Sequence, residues 1–152
     1  MRTVIQRCNT ASVKVSNEIR DINEGLVVFL GITHKDTEKD IDYLIKKIIN
    51  LRIFEDSDNK MNYSIQDING SILLVSQFTL YANTKEGNRP SFTDSMKYDD
   101  AKKMYNIFID KLKETNIKFK TGKFGSDMVV NIENDGPVTI IIDSKENLNE
   151  KE

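Results

Sequence analysis

The apolar positions of this chain change period several times, and each change marks an element. TVIQRC (3–8) and ASVKV (11–15) alternate as strands that bury one face do, and EIRDI (18–22) follows a Ser16-Asn17 turn. LVVFLGIT (26–33) is apolar throughout and is bounded by Gly25 and a polar HKD, the pattern of a central strand covered on both sides. The period then becomes helical. Ile41, Leu44, Ile45, Ile48, Ile49 and Leu51 share one face, with Thr37 or Asp36 as N-cap and Glu38 and Asp40 in the first turn. After a polar loop (55–62), YSIQDI, Asn69-Gly70 and SILLVSQFTL read as a hairpin. Residues 81–97 have no period and hold Gly87 and Pro90; so long a loop in a small domain is usually functional. Ala101, Met104, Tyr105, Phe108, Ile109 and Leu112 predict a second helix from about Asp99. Strands are expected at about 117–121, 127–133 and 137–142.

The last two strands flank NDGPVT (134–139), where two signals conflict. Asp135-Gly136 between apolar runs predicts a hairpin turn, but Pro137 has no N–H to give a ladder. Two readings stay open: a plain turn, or a rigid turn whose bare carbonyls recognise an ammonium group, with a cis Gly-Pro bond available to it. The whole order predicts one mixed α/β (α+β) domain over 1–144 rather than a regular βαβ array, and a polar, frayed tail over 145–152.

Composition narrows the chemistry. The 152 residues carry a net charge of −2, which excludes a strongly basic nucleic-acid coat protein but not a local basic patch. No apolar run reaches the ~20 residues of a membrane helix. MRTVIQRC enters a strand pattern directly, without the apolar core of a signal peptide, and the single cysteine permits no intrachain disulfide; a cytoplasmic, reducing setting is expected. One cysteine (Cys8) and one histidine (His34) give no zinc site of the usual ligand count and no familiar nucleophile arrangement. No phosphate-cradling glycine motif is present, and no metal or cofactor is expected. Catalysis would then rest on hydroxyls, backbone amides or the substrate.

Three stretches need a reason. SQFTL (76–80) ends an apolar strand with polar side chains, and alternation would put Ser76, Phe78 and Leu80 on one face and Gln77 and Thr79 on the other. The loop KEGNRPSF (85–92) presents Lys85 and Arg89 beside glycine and asparagine, a combination suited to a phosphate. NDGPVT is the third. In this order, with GKFGSDM (122–128) between, they resemble the D-aminoacyl-tRNA deacylase (D-tyrosyl-tRNA deacylase) family; MRTVIQRC…ASVKV, NLRIFED and KMNYS resemble it too. The likeness spans residue 1 to about 144.

The resemblance implies a barrel-like mixed sheet with two main flanking helices, acting as a homodimer on D-aminoacyl-tRNA, and on mischarged glycyl-tRNA, at the 3′ terminal adenosine. It implies that Gly136 and Pro137, joined by a cis bond, reach into the partner's site, turn their carbonyls to the substrate ammonium and exclude an L side chain. Ser76, Gln77, Phe78 and Thr79 would line the pocket for the adenosine and ester. Amides near Phe78 and Thr79 would hold the oxyanion, and the ribose 2′-OH would assist hydrolysis; Thr79 would orient rather than attack, since SQFTL supplies no base. Phe124 and Met128 would lie near the adenine, and ordinary core packing is the competing reading for both. Arg7 would hold the Gly-Pro turn, Asn134 and Thr139 would support it, and Lys85 and Arg89 would meet acceptor-end phosphates. One stretch departs from the family's pattern. After RPSFT the family commonly has small residues and a proline, and here stands DSMKYDD, which puts that pocket wall in doubt. The rival readings are a non-catalytic RNA-end or nucleotide-binding dimer, and a conventional esterase using Cys8 or His34.

Overall fold

The alternating start of the chain forms one strand, not two. In this computed structural model, which describes residues 1–148, strand β1 runs unbroken from Arg2 to Val15. The expected break is a bulge: the register against the partner strand shifts between Gln6 and Cys8 and again between Cys8 and Thr10. The bulge lets one strand serve two cores. Ile5 joins the cluster under the helices, whereas Cys8, Ala11, Val13 and Val15 join the cluster on the other face.

Three strands pair with β1. Its first half takes β3 (Gly25–Gly31), its second half β2 (Glu18–Ile22), and its other edge takes β8 (Val129–Asp143), all antiparallel. β6 (Ser71–Ser76) lies parallel to β3, and β7 (Lys118–Thr121) parallel to β6, giving the order β2-β1-β3-β6-β7. Parallel neighbours need crossovers. Helix α1 (Glu38–Asn50) lies between β3 and β6, and α2 (Tyr98–Lys113) between β6 and β7. The Arg20 Nη1 group donates to Thr121 O at 2.7 Å, and Lys120 Nζ lies 3.3 Å from Asp21 Oδ1. These bonds tie β2 to β7 and curl the sheet toward a barrel. Leu26, Val28 and Leu30 face the helices while Val27 faces the interior with Leu73 and Val75, which explains the uninterrupted apolar run.

Helix α1 begins where its sequence says. Thr37 accepts from Lys39 N, and Asp40 Oδ2 accepts from Thr37 N at 2.9 Å, a reciprocal cap. Asp40 Oδ1 also accepts from Ser144 Oγ at 2.6 Å. Among the described residues no helix is long and apolar enough to cross a membrane.

Four expectations are corrected. Residues 65–69 are turns rather than a strand, and the Asn69-Gly70 pair leads into β6 without a hairpin. β6 finds parallel partners on both sides, so a two-residue turn back to YSIQDI has nothing to join; a two-stranded ribbon of β4 (Phe54–Glu55) and β5 (Met61–Tyr63) forms upstream instead. The DG hairpin is also absent: β8 runs on through 134–139 with a bulge and no reversal, because both of its halves pair with β1 and not with each other. SQFTL leaves the strand after Ser76, and Phe78–Tyr81 is a 3-10 turn, so the expected alternation stops. Gln77 N donates to Leu30 O at 2.8 Å as β3 itself ends, and the chain folds over that end. Finally, the polar tail opens as a short helix α3 (Ser144–Leu148); residues 149–152 of the expected tail lie outside the described residues.

Candidate active site

Where β6 ends, the chain must turn, and the turn opens a cleft of about 650 Å³. Ser76, Gln77 and Phe78 form one side, Phe124 and Met128 the other, and Phe92 and Ser95 from the long loop close a third. A cleft of this size is in the range that takes a small-molecule ligand. Phe78 and Phe92 meet edge to face at 5.1 Å, and Phe78 is 57% exposed. Ser95 Oγ donates to Phe78 O at 2.9 Å and fixes the loop on the 3-10 turn.

The 3-10 turn leaves donors free. Its first bond runs from Leu80 N to Gln77 O, so the N–H groups of Phe78 and Thr79 have no acceptor within it. The Thr79 hydroxyl accepts a hydrogen bond from Gln77 Nε2. Its neighbour is therefore an amide donor and not a base, an arrangement for orientation and not for attack. Thr79 itself is exposed and lies outside the cleft wall.

Phe124 and Met128 serve the packing and the cleft wall at once. The Phe124 ring meets Tyr105 at 5.4 Å, tilted by 38°, and packs against the helical core, and Met128 packs against the interior cluster, yet both line the cleft. Lys85 and Arg89 are fully on the surface and do not reach it. Phe92, Ser95 and Asp127 line it without having been singled out as site residues; only the aromatic in an aperiodic loop gave a signal for the first.

Gly136 and Pro137 lie elsewhere. Both are exposed, and none of residues 134–139 lines this cleft. The Gly136-Pro137 bond is cis. The paired residues on either side are Cys8 with Asn134 and Gln6 with Thr139, so four residues of β8 stand opposite Arg7 alone. Pro137 sits in this bulge on an edge strand, and its missing N–H costs no ladder bond. Gln6 Nε2 donates to Thr139 Oγ1 at 3.4 Å.

Arg7 anchors the bulge. Only 3% exposed, it donates from Nε to Asp135 O at 3.1 Å and from Nη1 to Ile53 O at 2.6 Å. The carboxylates of Asp135 and Glu55 lie 3.3 and 3.6 Å from the guanidinium. Gly136 takes φ +122°, and a Cβ there would meet Val138 N at 3.1 Å and Arg7 Nη2 at 3.2 Å. Both the backbone and the space require glycine.

The conventional nucleophile reading fails on geometry. Cys8 is wholly buried, and burial pushes its thiol up to about 11. His34 Nε2 is spent on Thr93 O at 2.7 Å on the surface. Among the described residues no group of three His, Cys, Asp or Glu could hold a metal ion.

Comparison with known proteins places these features in a lineage. The family model for D-Tyr-tRNA(Tyr) deacylase matches residues 4–143. The chain is 56% identical over 146 residues to a D-aminoacyl-tRNA deacylase of Finegoldia magna, covering 95% of this chain and 99% of that one. It is 56% identical over 147 residues to one of Aquifex aeolicus, covering 96% and 99%. Among solved structures, c-Myc DNA Unwinding Element Binding Protein superposes with a TM-score of 0.88 at 43% identity, over 94% of this chain and 98% of that one. A probable eukaryotic D-amino acid tRNA deacylase shares the fold with a TM-score of 0.79 at 17% identity, over 93% and 97%.

Proposed function

The chain belongs to the D-Tyr-tRNA(Tyr) deacylase family, and from that premise we propose that it hydrolyses the ester joining a D-amino acid to the terminal adenosine of tRNA. The observation that carries the mechanism is the strand end at Ser76–Thr79, where Phe78 lines an aromatic-walled cleft and neither its amide nor that of the adjoining Thr79 has an acceptor within the 3-10 turn. The adenosine sits in the cleft against Phe124 and Met128. The N–H groups of Phe78 and Thr79 receive the oxyanion of the tetrahedral intermediate; one such donor lowers the barrier by about 3 kcal/mol. Thr79 and Gln77, bonded to each other, orient the ester. The ribose 2′-OH assists the attacking water, which accords with a site that offers no imidazole and no thiolate.

Selection falls to Gly136 and Pro137. They are exposed, rigidly anchored by Arg7, and absent from their own chain's cleft. A device so placed suits a second copy of the chain, into whose cleft it turns carbonyl oxygens toward the substrate ammonium while leaving no room for an L side chain. Exclusion by backbone cannot be evaded by a rotamer change. Glycine, having no side chain to exclude, is cleared as well.

The test is deacylation of matched D- and L-tyrosyl-tRNA by the purified protein without added metal. Release from the D ester alone is expected. Release from neither, with tRNA still bound, would make the protein a binding module; equal release from both would remove the selector from Gly136-Pro137.

A further inference from the structure

The wall of the cleft that departs from the family's pattern holds a residue unexplained by the fold. Tyr98 is the first residue of α2 and is 56% exposed. It takes no part in either apolar cluster among the described residues. Its ring meets Phe124 edge to face at 5.2 Å and lies on Gly125, where a Cβ would come within 2.6 Å of both Cε2 and the hydroxyl. Gly125 also has φ +73°, so both its backbone and the ring over it leave no place for a side chain there. Lys97 precedes it, lines the same cleft, is exposed, and forms no ion pair among the described residues.

An exposed aromatic continuous with a half-buried one, beside a free cation, has the chemistry of a single-strand platform. Unpaired bases stack on such rings, and cations meet the linking phosphates. This reasoning rests on the deacylase reading, which seats the terminal adenosine against Phe124. The next aromatic surface beyond Phe124 is Tyr98. We propose that Tyr98 and Lys97 form a second nucleotide subsite: Tyr98 stacks on the base preceding the terminal adenosine, and Lys97 meets the phosphate between the two. Asp127 also lines the cleft and repels phosphate, so the strand passes on the Lys97 side.

Two substrates separate this subsite from the reaction centre: D-tyrosyl-tRNA, and 3′-O-(D-tyrosyl)adenosine, which lacks the preceding nucleotide. Tyr98→Ala is expected to lower kcat/KM on the tRNA about tenfold, within the range of one lost base stack. The same variant should act on the nucleoside ester as the unmodified protein does. Tyr98→Phe keeps the ring and should retain activity on both. Lys97→Gln should flatten the salt dependence of tRNA hydrolysis and leave that of the nucleoside ester unchanged. Equal losses on both substrates would make Tyr98 part of the adenosine pocket or of the helix start, and no loss on either would leave the ring without a ligand; each overturns the subsite. An unmodified protein inert on both esters overturns the deacylase reading and the subsite with it, whereas one active on both with unaffected variants overturns the subsite alone.

Discussion

Arg7 shows how much one side chain holds in this molecule. It is buried, and its fork reaches Asp135 O and Ile53 O at once. Lysine carries the charge but not the fork. Arg7→Lys should therefore cost about 2 kcal/mol in chemical denaturation, because a buried carbonyl loses its donor. The more telling result is in selectivity: with the bulge unanchored, hydrolysis of L-tyrosyl-tRNA should rise relative to the D ester at a temperature where the variant is fully folded. Stability loss with unchanged selectivity would separate Arg7 from the selector. The role of Arg7 came from family resemblance and not from its own neighbourhood in sequence. Ile53, Glu55 and Asp135 are 46 to 128 residues away, and no local pattern brings them together. Phe92 and Ser95 escaped notice as site residues for the same reason, since a loop without period gives no direction to its side chains.

The elements that were legible are those decided by a single face. Helix α1 followed from a stripe of isoleucine and leucine and from a polar cap, and both are present as expected. The elements that were misread are those whose partner decides their shape. Asp135-Gly136 and Asn69-Gly70 both carry strong local hairpin signals, and both are overridden because the flanking strands pair elsewhere. Asp40 shows a local signal and a distant partner acting together. Burial alone would raise its carboxyl; bonds from Ser144 and the Thr37 backbone, with Lys145 nearby, outweigh it and hold the carboxyl below the usual range. The sign follows: the stability this provides is present above the ordinary carboxylate pKa of 3.8 and is lost as pH falls below it. Asp40→Ala should cost about 2 kcal/mol near neutrality, with thermal melts showing a gap to the unmodified protein that closes as the pH is lowered below 4. A gap independent of pH would assign the loss to packing.

At the scale of the whole molecule, burial separates structural from chemical residues. Cys8 lies between the sheet and the interior cluster, where its thiol is held protonated. Its raised pKa means that the stability gained is complete below the ordinary thiol value of 9.0 and declines as pH rises toward 11. Iodoacetamide at pH 8 should leave Cys8 unmodified in the native protein and modify it in denaturant, as mass spectrometry would read directly. His34→Ala should leave turnover intact, because its ring bonds only a surface carbonyl. A large loss in turnover would restore the conventional esterase.

The continuation of β8 through 134–139 without a reversal has a consequence for the making of the protein. β8 follows every other strand in the chain, yet it lies along nearly the full length of β1, the first. A ribosome that stops early therefore releases a chain whose opening strand has a bare edge and whose two apolar clusters lack Val138 on the helix side and Val130 and Ile132 in the interior. Such a fragment loses the proposed selector, Gly136-Pro137, and its scaffold together. Under the proposed function, truncated synthesis therefore yields no stable hydrolase without enantiomer control, a species that would strip correctly charged tRNAs.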